Sequence, residues 1–186
     1  GAGLGERVTV VGFSLGGLLS AWVGQHLRVE RVVCIAPFFG VGWLPNPLAA
    51  LAGRVALAVP NVHLWWNPIE RERHGPPHTY PRFPTHAVGR ALVFANRLLT
   101  KAVDEAPATR RIAFVTNDAE ATVDNLGVLR LAAAWRRHAG VLVEVHRLTG
   151  LRRSHDIIEP KRRAPLIDRV YPPLLEIVAG GAPEVP

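Results

Sequence analysis

Residues 8–17 read Val8-Thr9-Val10-Val11-Gly12-Phe13-Ser14-Leu15-Gly16-Gly17, a β-branched run that leads straight into Gly12-x-Ser14-x-Gly16. The run predicts a buried strand, and the hydrophobic period changes as soon as the serine is passed. Leu15, Leu18, Leu19, Trp22 and Val23 fall at i, i+3, i+4, i+7 and i+8, which predicts a helix burying that face. A serine on so sharp a strand-to-helix turn is the sequence form of a nucleophile elbow. The turn forces the serine into a strained backbone conformation, and Gly12 and Gly16, two residues to either side, are expected to remove the clashes. The N–H of Leu15 then opens the helix and becomes a natural donor to a developing oxyanion, with the helix dipole adding to it.

Working outward, short apolar or β-branched runs recur at Arg7 to Val11, Val32 to Ala36, Arg111 to Thr116 and Val141 to Val145. Runs buried on both faces are typical of parallel sheets, and the segments between them are helical in pattern, so βαβ units are expected. Helices are predicted from about Thr122 to His138, from about Thr85 to Asp104, and from about Pro173 to Ala179. The first of these closes on Gly140, and the last starts on a proline suited to a first helical turn. Between the second and third strands lies a long insertion, about 38–84, dense in Pro, Gly, Trp and His. Connections of this length inside a compact domain are usually lids or binding loops. Leu48 to Val59 can form a helix within it. Trp65-Trp66-Asn67-Pro68 and Pro76 to Pro81 read as irregular packed loop, with Trp65 and Trp66 as candidate substrate contacts or as loop anchors.

Composition limits the reading. A chain of 186 residues, 48% hydrophobic and 20% charged, suits one α/β domain over residues 1–186 with a buried core. The net charge of +7 comes mostly from arginine, in pairs scattered along the chain rather than gathered with aromatics, so a nucleic-acid surface is not expected. The single cysteine, Cys34, allows no internal disulfide and sits in an apolar run as a buried thiol. The uncharged stretch from Val32 to Gly53 is broken by Pro37, Pro45 and Pro47, so no membrane span is expected and a cytoplasmic location is the default. The opening Gly1-Ala2-Gly3-Leu4-Gly5 lacks a methionine, as the inside of a longer protein would. His74 and His78 have zinc-like spacing, but Gly75-Pro76-Pro77 prevents a shared helical face, and no metal site is expected.

A serine hydroxyl is a poor nucleophile unless a base and a group orienting that base accompany it. The third strand runs into Asn117-Asp118-Ala119-Glu120-Ala121-Thr122-Val123-Asp124, and the fourth into Ser154-His155-Asp156-Ile157-Ile158. In parallel α/β sheets such loops gather at the carboxyl ends of neighbouring strands, where ligands bind. Asp118, Glu120 and Asp124 are candidate acids and His155 is the candidate base.

With these motifs in this order, the chain resembles the C-terminal part of an α/β-hydrolase of the serine esterase, lysophospholipase and serine aminopeptidase type. The resemblance covers nearly all 186 residues but only the later half of that family's sheet. It implies a partial α/β-hydrolase fold: a mostly parallel sheet of about four strands flanked by helices, with a lid-like insertion. In that family the acid loop commonly reads as a small residue, two variable ones, Asp, two variable ones and Val. Setting Val123 on that valine puts the acid at Glu120, a glutamate where aspartate is usual, with Asp118 and Asp124 as rivals. The segment Ser154 to Ile158 resembles the family's final histidine loop.

The implied chemistry is hydrolysis of a small-molecule or lipid-like ester without a cofactor, through Ser14, His155 and the acid, by way of an acyl-enzyme. The resemblance also implies a second oxyanion donor from a loop near the start of the sheet, and no His-Gly-type motif precedes Ser14. Two alternatives follow: a non-catalytic remnant that holds an apolar ligand or a protein, and an acyltransferase, which differs only in what attacks the acyl-enzyme.

Overall fold

The structure is a computed structural model that describes residues 5–44, 46–66, 68–69, 80–160 and 166–180. His74 and His78, weighed above as a metal pair, and Asn67 and Pro76 to Thr79, read above as loop, lie outside the described residues. Four parallel strands, β1 (Thr9–Phe13), β2 (Arg31–Ile35), β5 (Arg111–Asn117) and β6 (Leu142–Leu148), form one sheet in the order β1-β2-β5-β6. Helix α1 (Leu15–His26) joins β1 to β2, and α4 (Asn125–Arg136) joins β5 to β6. Between β2 and β5 the chain makes α2 (Asn46–Ala58), an antiparallel hairpin of β3 (His63–Trp65) and β4 (Arg82–Pro84), and α3 (Thr85–Asp104). Helix α5 (Ile167–Ala179) follows β6.

The continuous apolar runs are explained by the sheet being covered on both faces. Along β2, Val32 and Cys34 join one core with Leu18, Ala21, Leu98 and Trp135, while Val33 and Ile35 join a second with Ile157, Val170, Leu174 and Ile177. The two-residue period of a strand divides β5 the same way, Ile112 and Phe114 against Ala113 and Val115. One layer therefore holds α1, α3 and α4, and the other holds α5. Gln25 of α1 ties the first layer together. Its Oε1 accepts from the buried Trp135 Nε1 at 2.7 Å, and its Nε2 donates to the carbonyls of Glu105 and Ala106.

Four local expectations are corrected. Helix α1 does not bury its large apolar stripe: Leu15, Leu19 and Trp22 are exposed, and the buried face is Gly17, Leu18, Ser20, Ala21, Gly24 and Gln25. Small residues win because α1 lies tight against the loop leaving β2; a Cβ at Gly17 would stand 2.9 Å from the Pro37 backbone. Helix α5 starts at Ile167 and carries Pro172 and Pro173 inside it, not at its first turn. Val170, Leu174 and Ile177 at i, i+4 and i+7 give it a buried face that outweighs the two missing N–H donors. Helix α4 begins only at Asn125, because Asp124 caps it by accepting from Leu126 N. Trp65 belongs to strand β3 rather than to irregular loop.

The second glycine of the elbow, Gly16, also differs from expectation. A Cβ on Gly12 would collide with the Gly16 carbonyl and the Ser20 hydroxyl, whereas a Cβ on Gly16 meets nothing within 4 Å. The elbow therefore depends on Gly12 and Gly17. Gly12→Ala is expected to destabilise the chain by about 3 kcal/mol, as overpacking does. Gly16→Ala, in the first turn of α1, should be neutral or stabilising by up to about 1 kcal/mol. Urea unfolding of the two variants checks the contrast.

Candidate active site

The carboxyl ends of the parallel strands bring three distant segments together. Ser14 follows β1 directly and sits at φ 55° and ψ −117°, a left-handed region that a residue with a Cβ enters at a cost of roughly 1–2 kcal/mol. Ordinary hydrogen bonds hold it there: Ser14 N donates to Ile35 O at 2.9 Å, and Ser14 O accepts from Leu18 N and Phe38 N. Ala36, at the end of the adjacent strand, is the other non-glycine residue at positive φ among the described residues (φ 41°). The Leu15 N–H begins α1 and so has no carbonyl four residues back within the helix.

His155 Nε2 lies 2.7 Å from Ser14 Oγ, and His155 Nδ1 lies 2.9 Å from Glu120 Oε2. The imidazole thus stands between a hydroxyl and a carboxylate. The Phe13 ring backs it, with centroids 5.0 Å apart. Ile157, wholly buried in the second core, anchors the loop, and Ile157 N donates to His155 O. Helix α5 secures both ends of the same loop: Arg169 donates to Gly150 O, and the Tyr171 hydroxyl donates to Ile158 O.

The Glu120 side chain is only 1% exposed. Its Oε1 accepts from Ala121 N at 2.8 Å and from Thr122 N at 2.6 Å, while Oε2 faces His155. Burial by itself pushes this carboxyl upward, but the hydrogen bond from His155, the two backbone N–H donors and the attraction of His155 outweigh it and hold Glu120 below its ordinary value.

Of the three acids considered from the sequence, Glu120 alone is bonded to His155. Asp124 caps α4. Asp118 instead makes a two-pronged ion pair with Arg147 at 2.9 and 3.0 Å. Trp65 and Trp66 both make their ring contacts within the hairpin, Trp65 beneath the Arg82 guanidinium and Trp66 against Phe83. Cys34 is wholly buried, and burial pushes its thiol far up. Among the described residues no cluster of three His, Cys, Asp or Glu side chains is placed to hold a metal ion, and no helix is long and apolar enough to cross a membrane.

Two contributors escaped the sequence reading. Phe13 read only as the variable residue between Gly12 and Ser14, and its ring contact with His155 joins elements far apart in the chain. Asn117 is wholly buried at the end of β5 and bonds to both the acid loop and the histidine loop. Asn before Asp-Ala is a turn former by composition, but its partners 35 and 37 residues away carry no local signal.

The architecture is that of known hydrolases. A monoacylglycerol lipase from Paleococcus ferrophilus matches at a TM-score of 0.66 with 19% identity, over 94% of this chain and 69% of that one. A soluble variant of monoglyceride lipase from Saccharomyces cerevisiae matches at 0.66 with 12% identity, over 92% and 61%. A structure from work on LipS and LipT, two metagenome-derived lipolytic enzymes, matches at 0.61 with 14% identity, over 94% and 65%. The chain thus spans about two thirds of the length of these structures. No protein-family model matches it, and no curated protein matches it in sequence. The likeness defines the class: this chain has an α/β-hydrolase fold, in part.

Glu120→Gln tests the electrostatics. A carboxyl whose native value is depressed adds stability that is complete above its ordinary value of 4.5 and is lost as pH falls through the native value. The urea-midpoint advantage of the parent over Glu120→Gln is therefore expected at neutral pH and should shrink on acidification through that range.

Proposed function

We propose that this chain carries the catalytic machinery of a serine hydrolase acting on carboxylic esters, with Ser14 as nucleophile, His155 as general base and acid, and Glu120 as the orienting carboxylate. The observation that carries the reading is the unbroken relay from hydroxyl to imidazole to carboxylate, with the serine at a strained turn beside a helix N-terminus.

The steps follow from the donors and acceptors available. Ser14 Oγ bonds to the ester carbonyl carbon while its proton passes to His155 Nε2. Glu120 keeps the other ring proton on Nδ1, which leaves Nε2 free to act as a base, and it stabilises the imidazolium that forms. The Leu15 N–H serves as an oxyanion donor at the positive end of α1. The tetrahedral carbon then expels the alcohol, which takes the proton from Nε2, and a water repeats the sequence to release the acid and free the serine.

An apolar acyl or alkyl group is the favoured substrate class. Segment 38–84, read as a lid, presents Leu48, Leu51 and Val55 of α2 and Val59 just beyond it outward, and the architecture is shared with lipases of monoacylglycerols. Exposed apolar surface of this extent usually meets a ligand, a membrane or a partner.

A fluorophosphonate probe tests the chemistry directly. The parent chain is expected to take up one probe at Ser14, with Ser14→Ala unlabelled and His155→Ala slower by about four to six orders of magnitude. A folded parent that takes up no probe would overturn the enzyme reading in favour of a non-catalytic binding module. On p-nitrophenyl esters, longer acyl chains should give the higher kcat/KM.

A further inference from the structure

We infer that Asn117 is a positioning residue that registers the Glu120 loop against the His155 loop; the inference rests on the relay read above. The β5–β6 ladder ends at the pair Asn117 and Leu148, and beyond it each strand runs into the loop that carries one member of the relay. Backbone pairing gives out there after one last bond, Asp118 N to Leu148 O. The Asn117 side chain takes over. Its Nδ2 donates to Ser154 O at 3.0 Å and to Arg152 O at 3.1 Å, and its Oδ1 accepts from Ala119 N at 3.0 Å. Ser154 and Ala119 immediately precede His155 and Glu120. One planar amide therefore spaces the two residues whose side chains must meet at 2.9 Å.

The chemistry demanded at this position is narrow. Two carbonyl oxygens converge on one end of the side chain and one N–H on the other, so the site needs two donors and an acceptor on a short rigid plane. A carboxylate in the same shape would face both carbonyls with lone pairs. An apolar side chain would leave three polar groups unpaired in a buried site. The asparagine's own carbonyl is used as well, accepting from Asn125 Nδ2 at the start of α4 and from Glu120 N. A further side-chain link between these segments, Arg147 to Asp118, has an arginine side chain that is 68% exposed, and a solvated pair of this kind holds position weakly.

The experiment is proton and nitrogen NMR of the histidine-labelled chain, with Asn117→Asp and Asn117→Ala beside the parent and His155→Gln to assign the resonance. The Nδ1 proton of His155, held on a buried carboxylate, is expected as a sharp downfield signal with ring nitrogens of a single tautomer in the parent. In both Asn117 variants that signal should broaden or vanish and the tautomers mix, while the near-ultraviolet dichroism of the buried Trp135 persists. Fluorophosphonate labelling should slow by about 10- to 100-fold, as small misplacements of reacting groups do. Arg147→Gln should leave the signal in place. Should the smaller side chain fail to fold, the isosteric Asn117→Asp carries the test alone. A parent without the signal would overturn the Glu120–His155 pairing itself, and with it this inference. A parent signal retained unchanged in a folded Asn117 variant, with only a lower Tm, would overturn the role of Asn117 alone.

Discussion

A serine hydroxyl and an imidazole 141 positions apart meet at 2.7 Å because both belong to turns at the carboxyl edge of one parallel sheet. That edge is the constraint on which the site depends. Parallel strands need long crossovers, so consecutive strand ends stack side by side while the connecting helices are carried to the faces. The turns that leave β1, β5 and β6 are left together at one rim. Neither the serine, the acid nor the histidine has to reach far, provided that the strands hold their register.

The register is held by burial, and the positive φ of Ser14 draws on it. A left-handed serine is uphill on its own, and it persists because its N–H is bonded to β2, its carbonyl is bonded to α1 and to the segment leaving β2, and Gly12 and Gly17 let helix and loop close in. The loop leaving β2 does more than hold the elbow. Gly40 O accepts from Asp124 N, and Gly42 N donates to Thr122 O, so the residues beside Glu120 are fastened to the same segment that bonds Ser14. Ser14 and the Glu120 loop are thereby referenced to one piece of backbone.

Electrostatics follow from the same packing. A glutamate that is nearly inaccessible to solvent would resist ionisation if left alone, and here three donors converge on its two oxygens. Such a carboxylate keeps its charge and its direction, which is what an imidazole needs to hold one tautomer. Asp118, a few residues away on the surface, is satisfied by Arg147 instead, and Asp124 by the helix it caps. Three acids in one loop thus serve three different ends, fixed by what each side chain meets.

Local pattern by itself determined the presence of the four parallel strands, the α3 bounds and the strand-to-helix turn at Ser14, because each depends on period or on residue types within a few positions, whereas the short strands β3 and β4 left no such signal and the histidine loop was singled out by resemblance. Choosing Glu120 over Asp118 and Asp124 needed the resemblance to a family, since all three carboxylates lie within one turn-rich segment. Which face α1 buries, where α5 begins, which glycine the elbow requires and what Asn117 holds were decided only by the tertiary structure. Each of these depends on a neighbour distant in sequence: Pro37 against Gly17, the second core beneath Val170 and Leu174, the carbonyls of Arg152 and Ser154. Periodicity reports that a helix has an apolar side, but close backbone approach selects small residues for the inner face, and only the packed fold reveals where that approach occurs.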